Sequence, residues 1–197
     1  MARAKAAGLV LFPSAGTDAA FSAMVAIEER VSNNGEGIPV RRVDFPYRLA
    51  GRRIPDRTPI MVDAVVKATK AMARSLKVET DQILIGGRSM GGRMASMAVA
   101  QGLKVAGLVL VAYPLHPPGQ WNEMRHEHFP DIGVPCLFVS GARDSFATPD
   151  QLAESASLIR GRVVMKTIEG NRRRAGHELY GMDDEVADLV AAWVRRR

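Results

Sequence analysis

Ser89, Asp144 and His177 are the residues of this chain whose types together could do chemistry. A serine hydroxyl is a poor nucleophile at neutral pH. A histidine that takes its proton activates it and later returns the proton to the leaving group. A carboxylate fixes the imidazole tautomer and stabilises its cation. Ser89 stands in Gly87-Arg88-Ser89-Met90-Gly91, the pattern G-x-S-x-G. The apolar run Ile83-Leu84-Ile85 precedes it, and 92–100, rich in helix formers and small residues, follows. Strand, sharp turn and helix are the setting that pattern needs. The glycines leave room where side chains would meet the neighbouring strand and helix, while the serine takes a strained backbone. The following helix turns its free N–H groups toward the reacting oxygen.

Two backbone N–H groups are needed to hold the oxyanion of a tetrahedral intermediate. Met90, directly after the nucleophile, supplies one. Ala15, in the turn Pro13-Ser14-Ala15-Gly16 after the first strand, supplies the other. Ser14, Arg88, Tyr113 and His116 are candidate pocket residues. The plainer role for Ser14 is an ordinary turn or capping serine, and Arg88 could equally form a salt bridge. Asp144 could be a turn aspartate bonding its own backbone, and His177 a surface-loop histidine. Their placement after successive strands favours the triad over both. His126-Glu127-His128 has no further ligand cluster beside it, so no metal is expected. The expected reaction needs no cofactor.

The elements that must position these residues alternate in type. The stretches 9–12, 39–45, 82–86, 106–111, 135–140 and 163–168 read as strands. Those at 106–111 and 135–140 are nearly continuously apolar, as in strands buried on both faces. Helices are expected after Thr17 or Asp18, with Asn33-Asn34-Gly35 as the stop, and after Thr58-Pro59, with Met61, Val65, Ala68, Met72 and Leu76 at helical spacing. Another opens at the capping box Thr148-Pro149-Asp150-Gln151. Val186, Leu189, Val190, Trp193 and Val194 form one face of a closing helix. This pattern predicts an α/β fold with a mostly parallel, doubly wound sheet, built as a single domain over 1–197. In such sheets ligands bind at the carboxyl ends of the strands, where Ser89, Asp144 and His177 fall. Only 114–128 is long enough to cover the site, so the lid is minimal.

Composition bounds the partners. The chain has 197 residues, 47% of them hydrophobic, and a formal net charge of +6. Only six of its 27 basic residues are lysine, and aromatics are 6% without interleaving among the basic residues. Specific nucleic-acid binding is therefore not expected. The basic run Arg172-Arg173-Arg174 is tethered to His177. It either biases the site toward anionic substrates or, more plainly, is a solvated loop with no partner. Cys136 is the single cysteine and sits in a strand-like run, which suits a reducing, cytoplasmic setting. The N-terminal apolar run is too short for a signal peptide, and none approaches the roughly 18 residues of a membrane span. Oligomeric state is open.

Several segments together resemble small α/β-hydrolases related to the dienelactone hydrolases. They are the elbow 86–96; Asp44-Phe45-Pro46-Tyr47 with 51–57; 113–119; and Gly141-Ala142-Arg143-Asp144-Ser145-Phe146. The closest resemblance is to a group typified by a testis-expressed protein and a subunit of a nonspecific-lethal chromatin complex. It spans nearly the whole chain. It implies an α/β-hydrolase fold with nucleophile Ser89, acid Asp144 and base His177, acting on a small-molecule ester, thioester or lactone. Two segments depart from the group. Pro13-Ser14-Ala15-Gly16 replaces the common His-Gly-Ala-Gly, and the approach to His177 is longer and more basic. The group also includes interaction modules, so the alternative function is a binding or scaffold domain with a slow or unused triad.

Overall fold

The computed structural model describes residues 5–33, 37–117 and 119–197. Asn34 and Gly35 of the expected helix stop, the first four residues of the N-terminal apolar run and Pro118 lie outside the described residues.

Six strands form one all-parallel sheet in the order β2-β1-β3-β4-β5-β6. They are β1 (Gly8–Phe12), β2 (Val40–Arg42), β3 (Ile83–Arg88), β4 (Gly107–Val111), β5 (Cys136–Gly141) and β6 (Val163–Ile168). Every residue of β1, β3, β4 and β5 is buried, which is why these strands are almost wholly apolar, with Arg88 and Ser140 the polar exceptions near their carboxyl ends. Edge strand β6 is different, with Lys166 and Thr167 exposed.

Helices cover both faces. On one side lie α3 (Thr58–Leu76), α4 (Met90–Ala100) and α5 (Pro149–Ala156), packed around Phe12, Phe45, Tyr113, Phe129 and Phe138. On the other lie α1 (Ser22–Ser32) and α6 (Asp183–Val194), packed on Leu9, Leu11, Val109, Leu137 and Val139. Alternate residues of one strand thus feed opposite cores, as the two-residue period of a strand requires. Arg30 of α1 bridges to Asp184 and Asp188 of α6.

Three local expectations change. Neither Thr17 nor Asp18 caps α1. The helix starts at Ser22 after Phe21, because Thr17 Oγ1 is engaged by Ser14 Oγ at 2.9 Å and the Ala19 N–H donates to Asp44 at 2.8 Å. The stretch 39–45 narrows to three strand residues. A short helix, α2 (Pro46–Leu49), follows it. Thr58 lies inside α3, whose N-cap is Arg57 with no side-chain hydrogen bond. The capping box at Thr148 forms as expected, with Gln151 N–H donating to Thr148 Oγ1 and Thr148 N–H to Gln151 Oε1.

The chain runs from β1 outward to β2, then returns past β1 to β3. That reversal opens a crevice at the carboxyl ends of β1 and β3.

Candidate active site

The elbow begins with sterics. An ideal Cβ on Gly87 would stand 2.0 Å from Phe12 O, and one on Gly91 2.1 Å from the same atom. Any larger residue at either position would push β3 and α4 away from β1. Between them Ser89 has φ 49° and ψ −117°. A non-glycine residue holds that left-handed conformation only where its surroundings enforce it. The enforcement is visible: Ser89 N–H donates to Val111 O at 2.8 Å, and Arg93 N–H donates to Ser89 O at 3.1 Å. The serine hydroxyl therefore projects from the end of β3 at the start of α4.

The three triad candidates meet there. Ser89 Oγ lies 2.9 Å from His177 Nε2. His177 Nδ1 lies 2.9 Å from each Asp144 carboxylate oxygen. With the carboxylate as acceptor, Nδ1 carries the proton and Nε2 is free to accept from the serine. Asp144 is 3% exposed and His177 8%, so water competes little for these contacts. Asp144 also accepts from the Phe146 N–H at 2.8 Å, and the Phe146 ring lies 4.0 Å from the imidazole, centroid to centroid. The acid and the ring beside the base thus come from one turn after β5.

Arg88 holds the loop that carries the base. Its guanidinium donates to His177 O at 2.9 Å and to Glu178 at 2.7 Å. It is buried and lies over the Phe21 ring. Within the loop, Asn171 Oδ1 accepts from the N–H groups of Arg173 and Arg174, which sets the turn leading to His177.

Met90 follows the nucleophile directly, and Ala15 lies in the turn after β1, the strand paired with β3. Met90 is the first residue of α4, where the backbone N–H has no intrahelical acceptor. The Ala15 turn is fixed from behind, because Tyr47 Oη donates to Ala15 O at 2.9 Å. Neither N–H donates to any group among the described residues.

The remaining candidates are placed differently. Ser14 is buried and bonded to Thr17. Tyr113 is fully buried, its hydroxyl 3.4 Å from both Ser96 Oγ and His128 Nε2. Burial pushes its phenol pKa up. His116 is fully buried against the Trp121 ring, with Nδ1 2.8 Å from Pro117 O. His126 Nδ1 lies 2.8 Å from Ser155 Oγ, and His128 Nε2 2.8 Å from Ser96 Oγ. Cys136 is buried in β5, and burial pushes its thiol up to about 12.

A cavity of about 840 Å³ opens beside His177. Trp121, Phe146 and Tyr180 line it together with Arg143, Arg172 and Arg173. Sequence reasoning found the triad residues but not Trp121, Arg143, Phe146 or Tyr180. For Arg143 and Phe146 the signal was adjacency to Asp144; Trp121 and Tyr180 had none. Trp121 rises from 114–128, the segment expected to form the lid.

The family described as "Alpha/beta hydrolase domain" matches residues 5–194. Among solved structures, the chain is similar to Est1E from Butyrivibrio proteoclasticus with ferulic acid bound. The TM-score is 0.77 at 14% identity, covering 98% of this chain and 89% of that one. It is also similar to a dienelactone hydrolase from Anabaena variabilis, with TM-score 0.74, 18% identity and 97% and 87% coverage. A third is an alpha-beta serine hydrolase homologue from Coxiella burnetii, with TM-score 0.68, 17% identity and 95% and 85% coverage. At these identities the likeness shows the fold. No helix among the described residues is long and apolar enough to cross a membrane. With the family matched over nearly its whole length, the chain belongs to the alpha/beta hydrolase domain family.

Proposed function

We propose that this hydrolase cleaves a carboxylic ester, thioester or lactone through an acyl-enzyme formed on Ser89. The observation that carries the reading is the continuous hydrogen-bonded line Ser89–His177–Asp144, at 2.9 Å at each step.

Ser89 Oγ attacks the acyl carbon while its proton passes to His177 Nε2. Asp144 stabilises the imidazolium through Nδ1–H. The carbonyl oxygen becomes an oxyanion, which the Met90 and Ala15 N–H groups receive. His177 then gives its proton to the leaving oxygen or sulfur as the C–O or C–S bond breaks. Water enters, loses a proton to His177 and attacks the acyl-enzyme. The acid is released and Ser89 regains its hydrogen. Nucleophile, base and oxyanion donors all come from the chain itself, and the substrate is a small acyl compound. The narrower kinship to the testis-expressed group rests on the loop motifs alone.

The test is labelling by a fluorophosphonate probe together with turnover of a graded acyl-ester panel, on the parent protein and on Ser89→Ala. Labelling and turnover that vanish in the variant support the reading. Absence of both in the parent protein overturns it in favour of a binding or scaffold domain.

A further inference from the structure

The cavity beside His177 has a charge pattern that the hydrolytic step does not use. Arg143, Arg172 and Arg173 line it, and none has a carboxylate within 4.0 Å among the described residues. Arg143 spends its Nε on Gly170 O, and Arg173 lies over the Tyr180 ring. Arg174 turns away, its Nε toward Met182 Sδ. Two acidic residues line the cavity, and both are committed: Asp144 to His177 and Glu178 to Arg88. In a cleft of about 680 Å³ near α2, three of the four lining arginines are paired, Arg53 being the exception among the described residues. There Arg42, Arg48 and Arg52 each meet a carboxylate, from Glu28, Asp18 and Asp56.

The same cavity holds two of the chain's large exposed aromatics. Trp121 is 54% exposed and Tyr180 55%. Arg173 covers one face of Tyr180, and His116 packs against Trp121, so the half-exposed Trp121 is the side chain of this cavity best placed to stack on a flat ring. Position assigns the occupant. The lining comes from the segments around Asp144 and His177, whereas Met90 and Ala15, which would face the acyl oxygen, are not part of it. His177 hands its proton to the leaving group, so the leaving group departs on this side.

We propose that the cavity receives the leaving group of the substrate, and that this group carries phosphate and a planar base. The substrate class is then an acyl ester or thioester of a nucleotide-like alcohol or thiol. This rests on the serine-hydrolase reading above. Three guanidinium groups suit a phosphate, which carries about two charges and several acceptor oxygens, better than a lone carboxylate. The volume lies within the range of small-molecule sites.

The test has two arms. In the first, ADP, adenosine and pyrophosphate are titrated calorimetrically into the Ser89→Ala protein, which binds without turning over. ADP should bind about tenfold or more tighter than either fragment. The Arg172→Gln/Arg173→Gln pair should weaken it about tenfold, and Trp121→Ala should weaken adenosine as well as ADP. In the second arm, kcat/KM is compared for acetyl-coenzyme A and for the acetyl thioester of N-acetylcysteamine. These share the scissile bond but only the first carries a nucleotide. A preference of about tenfold or more for the first, collapsing in the double-arginine variant and in high salt, is expected. Equal turnover of both thioesters with no ADP binding overturns the inference and leaves the hydrolase intact. Arginine-dependent ADP binding without turnover of any ester overturns the hydrolase reading and the leaving-group assignment with it. ADP binding indifferent to the arginines, or no tighter than that of adenosine, overturns the phosphate assignment.

Discussion

The guanidinium of Arg88 donates to the backbone carbonyl of His177 at 2.9 Å, so the residue before the nucleophile holds the base in place. Replacing Arg88 with Gln leaves that carbonyl and Glu178 without their cation and loosens the base against Ser89. The expected result is a kcat about 10- to 100-fold lower with KM changed much less, since misplacement near 1 Å costs that much. Arg88→Lys should recover only part, because an ammonium lacks the planar fork. Steady-state kinetics on the three proteins decides. An unchanged kcat in Arg88→Gln would show that the loop holds itself.

Ser89→Ala should fold like the parent and lose hydrolysis by about 10⁴-fold or more, because a triad without its nucleophile keeps only residual catalysis. Ser89→Gly should lose the same activity yet be about 1 kcal/mol more stable than the alanine variant. Glycine occupies φ 49° without strain. Urea denaturation of the two variants checks the sign. Equal stabilities would mean that the elbow stores no backbone strain.

Gly91→Ala tests the contact between β1 and α4. Its Cβ would meet the Phe12 carbonyl at 2.1 Å, and the cost should be about 3 kcal/mol, near the upper end for overpacking. Gly133→Ala, with nothing within 4 Å of the added atom, is the control and should change stability by less than about 0.5 kcal/mol. Thermal melts of both separate local crowding from a general intolerance of glycine replacement.

His128 gives the fold a pH dependence. Burial pushes its pKa down to about 4, Arg93 acts in the same direction, and Glu127 and Asp131 oppose it. In the unfolded chain the value returns to about 6.5. Between about pH 4 and 6.5 the unfolded state therefore binds a proton that the folded state refuses, and stability falls as pH falls through that window. His128→Gln should flatten this segment of the profile. Denaturant midpoints near pH 4.5 and pH 7 measure it. A variant retaining the full parental slope would place the dependence elsewhere.

Much of this could be read from residue order because the sheet is parallel and buried. Continuous apolar runs such as 107–111 and 136–139 announce their strands, and in such sheets chemistry falls just after them. Ser89 is marked by G-x-S-x-G, Asp144 and His177 by that rule, and the three lie within hydrogen-bond reach in the structure. Other features depended on contacts that sequence does not encode locally. The start of α1 was misplaced because Asp44, 25 residues away, captures the Ala19 N–H. The hold of Arg88 on His177 spans 89 residues, and spacing says nothing about where so long a side chain ends. Trp121 and Tyr180 gave no periodic signal. They matter only because segments after β4 and β6 border the same cavity.

The nucleophile and the base belong to parts of the molecule with different cohesion. Ser89 is the last rung of a central ladder, its N–H still bonded to Val111 beyond the end of β3. His177 rides on loop 169–181, where most residues are exposed and only Ala175 and Leu179 bury apolar side chains; Arg88, an asparagine turn and the Arg143 contacts to Gly170 O and Ala175 O hold it. Segments with little buried apolar surface open well before a sheet does. On warming, the imidazole should therefore leave the serine while every strand is still paired. Catalytic competence would vanish reversibly at a temperature below the cooperative melt, and amide exchange at 169–181 would outpace exchange at the elbow.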